Sequence, residues 1–428
     1  MSRRLTLPKP GKPLAVLVLA TCVSWQANAQ ISGYISGSYG YNENPLANYE
    51  DLSDQLAQSY LQVKFVNDAP AFQFTVEYVG ALMMFNRFSE RDYYEHTLGA
   101  GYTARFAKQK PAQQTTGADE KDEEVSQFVG NLLELGAKLG ARHDRSAYKE
   151  FDNTGGEVTS SYTMMAGNRG ALRLGNQFAY RKYTYLDDLS NLVDIVDVRY
   201  GRMPGSEAGV GVFASAGIKH YFTATYDTAL FESITPGASG GNGKGKGKGN
   251  SGSAPGQVKK QTLVNATSRN SYQLTAGVAA GDRWGSCLVD VQILYRYNPG
   301  GATRYLPQYV NSSLLTEDIY NDFFSYQGLE GSGSLQQDFH HGLKAVLAFY
   351  VSPRKYSAPA FTLDAVETAP HRNDLRSLME LTVSKTFPLS EGTDLEVILL
   401  TGYVRNQSND AYNDYSAAAV SLGLGIGF

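Results

Sequence analysis

The sequence predicts an all-β fold: a transmembrane antiparallel β-barrel of about 16 strands with long outer loops. Three observations predict it. Apolar residues recur at every second position through much of the chain, and no run of 18 apolar residues follows residue 30, so no membrane-spanning helix is expected. The alternating segments run to about 10–14 residues, against about 5–6 for a soluble strand, which suits a tilted membrane crossing. The chain also opens with an export signal.

That signal occupies residues 1–29. Arg3, Arg4, Lys9 and Lys12 form a cationic start, Leu14 to Val23 is an apolar stretch too short to span a bilayer, and Ala27-Asn28-Ala29 is a small-x-small cleavage site. Leu19-Ala20-Thr21-Cys22 resembles a lipoprotein box, with Thr a poor residue before the Cys. Ser2-Arg3-Arg4 resembles a twin-arginine signal, but that route exports folded proteins, which does not suit a barrel with an apolar exterior. Residues 30–428 are then a single barrel domain in the outer membrane.

Composition agrees. Hydrophobic residues make up 42% and charged residues 19% of the 428, with 44 Gly and 29 Tyr, and the mean hydropathy is −0.32. A barrel wall needs only every second residue to be apolar, so its average looks soluble. Removing the signal takes away four positive charges and no negative ones, so formal net charge moves from −4 to −8, which argues against nucleic acid as a partner. Cys22 leaves with the signal, and Cys287 alone cannot form an internal disulfide; a small apolar wall residue is its expected role.

The alternation is plain in several segments. Phe72, Phe74, Val76 and Tyr78 alternate with Gln73, Thr75 and Glu77. Leu133, Leu135, Ala137, Leu139 and Ala141 alternate with Glu134, Gly136, Lys138, Gly140 and Arg142. Strand side chains point to opposite faces at period two, so each segment has one apolar and one mostly polar face. At the C-terminus, Val420, Leu422, Leu424, Ile426 and Phe428 share one face, with Ser421, Gly423, Gly425 and Gly427 on the other. Ser421, Gly423, Ile426 and the terminal Phe428 resemble the C-terminal assembly signal of Gram-negative outer-membrane β-barrel proteins. The resemblance implies that the barrel-assembly machinery reads this strand, with periplasmic chaperones acting before it. It also implies outer-membrane lipid and lipopolysaccharide as the surroundings.

Fifteen strands are read near 31–42, 56–67, 71–84, 94–107, 131–143, 157–167, 170–184, 192–203, 208–223, 270–280, 286–297, 337–350, 375–387, 394–405 and 414–428. Single-chain bacterial barrels have even numbers, since both ends lie in the periplasm. Counting inward from both termini makes 337–350 and 375–387 run the same way, so an extra strand is expected between them, at 358–366. The segment 236–257, rich in Gly and Lys, is expected to be a disordered outer loop. The charged insert 108–126 is long for a periplasmic turn: it is a disordered insert, or the register fails between strands four and five.

Catalytic and metal signatures are missing from the sequence. The six His show no zinc spacing, and there is no nucleophile elbow or phosphate loop, so no metal, cofactor or enzyme activity is expected. Adjacent His340 and His341 are read as rim or wall residues. His143-Asp144 with Asp187-Asp188 resembles the outer-membrane proteases, which activate water between an Asp pair and a His–Asp pair, though the surrounding residues do not match.

The lumen is the candidate site. By parity Lys64, Arg105, Lys138, Arg142, Arg173, Arg181, Arg199, Lys219, Arg296 and Lys344 face inward, with Glu77, Glu134, Asp197, Asp290, Glu380 and Glu396. Such ladders line a water-filled pore and bias it toward anions, or they pair across strands and close it. Tyr183, Tyr185, Tyr320, Phe323, Phe324 and Tyr326 are read as an interfacial girdle and a loop over the mouth, or as a surface for sugars or a protein partner. The expected function is a pore for small solutes or an exported polymer. The alternatives are a closed-lumen structural or surface-interaction barrel, with a surface or periplasmic protein partner, and a rim hydrolase.

Overall fold

The computed structural model describes residues 29–45, 52–107, 130–145, 148–165, 170–201, 209–223, 270–299, 310–311, 316–317, 323–360, 370–411 and 413–428. Residues 1–28 of the expected export signal, the insert 108–126, the segment 236–257 and Tyr320 lie outside them.

The period-two pattern folds into one closed antiparallel barrel of sixteen strands. They are β1 (Ala29–Asn42), β2 (Asp54–Ala69), β3 (Phe72–Phe85), β4 (Tyr93–Ala107), β5 (Gly130–Asp144), β6 (Asn153–Met165), β7 (Ala171–Tyr183) and β8 (Asn191–Gly201). After them come β9 (Gly209–Tyr221), β10 (Asn270–Trp284), β11 (Cys287–Tyr297), β12 (Tyr326–Asp338), β13 (Leu343–Pro359), β14 (His371–Ser390), β15 (Thr393–Ser408) and β16 (Tyr415–Gly427). Each pairs with its sequence neighbours, and β1 pairs with β16 to leave no open edge. A two-residue ladder, Val310–Asn311 with Thr316–Glu317, lies outside the wall. No helix among the described residues is long and apolar enough to cross a membrane.

Alternate side chains turn outward and stay exposed although apolar: Leu139 is 67% exposed, Val210 67% and Leu422 58%. The buried apolar residues form only small clusters, such as Phe85, Phe88, Tyr93 and Tyr415, so the hydrophobic surface lies outside the wall. Ala29 and Phe428 lie at one end of the barrel, with the tight connections β2–β3, β10–β11 and β14–β15 and the longer β4–β5 connection; the connections β9–β10, β11–β12 and β13–β14 lie at the other, the loop end. β4 and β5 pair directly, from Tyr93↔Asp144 to Ala107↔Gly130, so the register holds across the charged insert.

The number of strands agrees with the parity argument, but the position of the added strand does not. β13 runs to Pro359 and pairs directly with β14, so the barrel order has no place for a separate strand at 358–366, of which 361–366 lie outside the described residues; the added strand is β12. Residues 337–350 are likewise not one strand. The chain reverses at His340–Gly342, where His341 (φ 60) and Gly342 (φ 72) both adopt left-handed backbone, so these histidines sit in a turn rather than in the wall. β12 escapes detection because its outward face carries Gly331 and Gly333 between Leu329 and Leu335. The Phe349 ring of β13 lies where a Gly333 side chain would stand, so a neighbouring strand supplies the apolar cover.

At the loop end the hairpins share one construction. A single 3-10 turn follows β3, β5 and β7, at Ser89–Arg91, Lys149–Phe151 and Asp187–Leu189. The residue after each turn accepts from the backbone at the end of the preceding strand: Phe85 N–H to Asp92 (2.8 Å), Asp144 N–H to Asp152 (2.6 Å) and Tyr183 N–H to the Ser190 hydroxyl (3.0 Å). The carbonyls of the same three residues accept from the next hairpin, at Arg145, Thr184 and Phe222. Successive loops are thereby stapled into a rim. Burial pushes the Asp92 carboxyl above the usual carboxylate range, against the Phe85 N–H and Arg145, which pull it down.

Closure has its own latch. Tyr34 on β1 reaches over Gly425 of β16 and donates to Glu396 of β15 at 3.1 Å. A side chain at 425 would occupy the position of the Tyr34 hydroxyl. Gly425→Val is therefore expected to expel Tyr34 and to lower barrel stability by about 1–3 kcal/mol, the range for a hydrogen bond to a charged group. Urea unfolding followed by the gel shift of the unheated protein checks this, with Tyr34→Phe as the matching variant.

Candidate functional site

The lumen wall consists of the side chains opposite the exposed apolar face. Lys64, Glu77, Arg105, Glu134, Lys138, Arg173, Arg181, Asp290, Arg296 and Lys344 all project from that inner face, since their strand neighbours of the other parity are outward apolar residues. Ladder pairing places several at one level: Lys64↔Glu77, Glu77↔Gly99, Gly99↔Lys138 and Lys138↔Glu157.

Their partners differ with height. Near the chain-terminus end, Arg105 meets Asp68 at 2.7 Å. On the β5–β7 wall, Glu134 accepts from the Ser161 hydroxyl at 2.7 Å and lies 3.9 Å from Arg173. Gln62 donates to Glu77. Lys64, Lys138, Arg181 and Lys344 make no ion pair among the described residues, and the last three are exposed although they face inward. Acids that the parity reading passed over, including Glu95, Asp144, Glu157, Glu330 and Asp374, also face inward, so the expected excess of cations shrinks.

Toward the loop end the wall becomes a buried belt of cations stacked on tyrosines. Arg142 lies 3.9 Å from the Tyr93 ring centroid, Arg372 4.2 Å from Tyr356, Arg354 4.5 Å from Tyr326 and Lys219 5.1 Å from Tyr221. Arg376 donates to the Tyr415 hydroxyl. Carboxylates complete the belt. Arg142 grips Asp144 through two bonds of 3.0 and 2.9 Å. Arg296 meets Glu330 at 2.6 Å, and Tyr326 donates to the same carboxylate at 3.0 Å. Asp374 pairs with Arg372 and accepts from Asn406 (3.1 Å) and Ser408 (2.6 Å). A buried guanidinium stacked on a ring gains about 2 kcal/mol, and removing one partner of such a buried ion pair costs about 3–5 kcal/mol, so the belt is rigid.

Sequence reasoning missed Arg354, Arg372 and Asp374 because the strands it read stop at 350 and start again at 375, and it left Arg376 of 375–387 out of the inward cations. A signal was present: Arg372, Asp374 and Arg376 alternate with Asn373 and Leu375 at the strand period. Beside the belt, where β13–β14 pairing shifts between Lys355 and Pro359, a cavity of about 540 Å³ opens among Tyr326, Lys355, Tyr356, His371 and Asn373.

Other sequence candidates separate. Asp144 faces inward, held by Arg142, while His143 faces outward with its ring 3.9 Å from Asp152, so the two do not form a His–Asp pair. Tyr183 and Tyr326 are buried and turned inward, Phe324 is buried, and Tyr185 and Phe323 are exposed. Cys287 begins β11 on the outward parity. No cluster able to hold a metal occurs among the described residues. Ser421 and Gly423 face the lumen, and Ile426 and Phe428 face out.

No protein-family profile matches the chain, and no curated protein does. Among solved structures, OpdK from Pseudomonas aeruginosa is 10% identical with a TM-score of 0.42, over 93% of this chain and 99% of its own. OccAB2 from Acinetobacter baumannii is 8% identical at 0.41, over 94% and 98%. A bacterial polysaccharide outer membrane secretin is 8% identical at 0.42, over 94% and 99%. Nothing about solute or mechanism follows from likeness at that level.

Proposed function

We propose that the protein is an outer-membrane pore for small hydrophilic solutes. One observation carries this reading: Glu134, Lys138, Arg181, Arg199 and Lys344 face inward yet are exposed. A lumen packed with side chains would bury them, and sixteen strands enclose a channel wider than side chains alone fill. The exposed apolar outer face supports a lipid surrounding, with lipopolysaccharide at the loop end. The chain-terminus end would face the periplasm, and the assembly machinery would read Phe428. The Arg–Tyr belt narrows the loop end, which favours small solutes over an exported polymer. Most lumen arginines are neutralised by acids, so wild-type charge selectivity is expected to be slight.

Swelling of liposomes carrying the refolded barrel tests the proposal. Swelling in isosmotic pentose is expected to be faster than in a trisaccharide. Inserted protein that gives no swelling with any solute would contradict it and favour a closed-lumen surface barrel.

A further inference from the structure

The outward face is mostly apolar, and single polar residues such as Ser59, His96 and Thr401 interrupt it, but on three adjacent strands polar residues cluster. Ser160, Asn176 and Asp194 stand on the adjacent strands β6, β7 and β8, on the outward parity. Asn176 is the ladder partner of Ser160 and lies between Leu174 and Phe178, 46% and 41% exposed. Asp194 is the ladder partner of Phe178 and precedes Val196, 56% exposed, on the same face. The Asn176 amide donates to Asp194 Oδ1 at 2.7 Å and to the Ile195 carbonyl at 3.3 Å. That uses both amide hydrogens. Asp194 Oδ2, Asn176 Oδ1 and the Ser160 hydroxyl make no hydrogen bond among the described residues.

A carboxylate, an amide and a hydroxyl with unused bonding capacity are poorly placed against hydrocarbon, where no water can serve them. Their order supplies a solution. A two-fold axis along the membrane normal, passing beside β7, sets each strand of the triad against its mirror position in a second copy. The donor Ser160 then faces Asp194 of the partner, and Asn176 faces its own equivalent. The patch is thus complementary to itself, as an isologous interface requires. The two carboxylates lie on opposite sides of the axis, each about two strand spacings, roughly 10 Å, from its own Ser160.

We infer that the outward face of β6–β8 joins two copies of this chain into a dimer, with the Ser160 hydroxyl of each donating to Asp194 of the other. The inference rests on the barrel standing in a membrane, which the test reads separately. The full chain carrying Cys287→Ser is expressed, and insertion is scored by the gel shift of unheated protein. Asn176→Cys in that background is expected to give an oxidant-induced dimer, while Leu329→Cys, on the outward face of β12, stays monomeric. In mild detergent the wild type is expected to run at twice the chain mass. Asp194→Val is expected to insert normally and to lose the dimer by about tenfold or more in concentration, a change of about 1.4 kcal/mol or more. An inserted wild type that is monomeric at every concentration, or Asn176→Cys crosslinking no better than Leu329→Cys, overturns the dimer and leaves the pore reading intact. Protein that never inserts overturns both.

Discussion

Deleting Phe428, or replacing it with Asp, is expected to remove most of the folded barrel from the outer membrane of expressing cells while leaving refolding in detergent nearly normal. The magnitudes separate the two effects. The Phe428 backbone exchanges bonds of 2.7 and 2.9 Å with Gly33, and its ring lies where a Gly33 side chain would stand. Those contacts contribute about 1–3 kcal/mol, too little to undo a barrel closed by the whole β1–β16 ladder from Tyr34↔Gly427 to Asn42↔Ala419. A steep loss in cells beside efficient refolding in vitro is therefore what a terminal recognition signal produces. Normal cellular levels of inserted protein would show that Phe428 is only another wall residue.

The second large effect concerns the β5–β7 wall. Changing Lys138, Arg173 and Arg181 together to Gln is expected to move the reversal potential in a salt gradient toward cations. Glu157 of β6 stands between β5 and β7, opposite Lys138, and Glu134 would lose Arg173. Both carboxylates would then face the lumen unopposed. A unit charge about 8 Å away in water is worth about 0.5 kcal/mol, so three removals should change the permeability ratio about three- to tenfold at low salt, and less as salt screens them. The barrel should survive, because substitutions on the lumen side tune selectivity. Unchanged selectivity in a conducting variant would place these three side chains away from the ion path.

Most of the wall was legible because period two fixes which face every side chain takes once one residue is assigned. Lys138 and Arg173 could be turned inward from Leu139 and Leu174 alone. Legibility failed where that period is diluted. Gly331 and Gly333 erase the outward signal of β12, and Phe349, on another strand, fills the space that Gly333 leaves; no local pattern can report a contact made across strands. The His341–Gly342 reversal was hidden by running one strand through 337–350, although its two histidines were read as rim or wall residues. These two errors left Glu330 and Arg354 outside any strand, and starting the next strand at 375 left out Arg372 and Asp374, and with them half of the belt. The belt itself is a pairing of cations with rings on neighbouring strands, such as Arg354 with Tyr326, separated by 28 positions in sequence. The rim staples are similar: Asp92, Asp152 and Ser190 look like ordinary loop polars until their backbone partners are known.

Conductance of the purified wild-type barrel in a planar bilayer tests the open lumen most directly. Stepwise current increments, proportional to salt concentration and present without any variant or activator, are the predicted result. Protein that inserts, shows the gel shift of a folded barrel and passes no current at any voltage would contradict it, and would mean that the exposed inward charges line a closed vestibule.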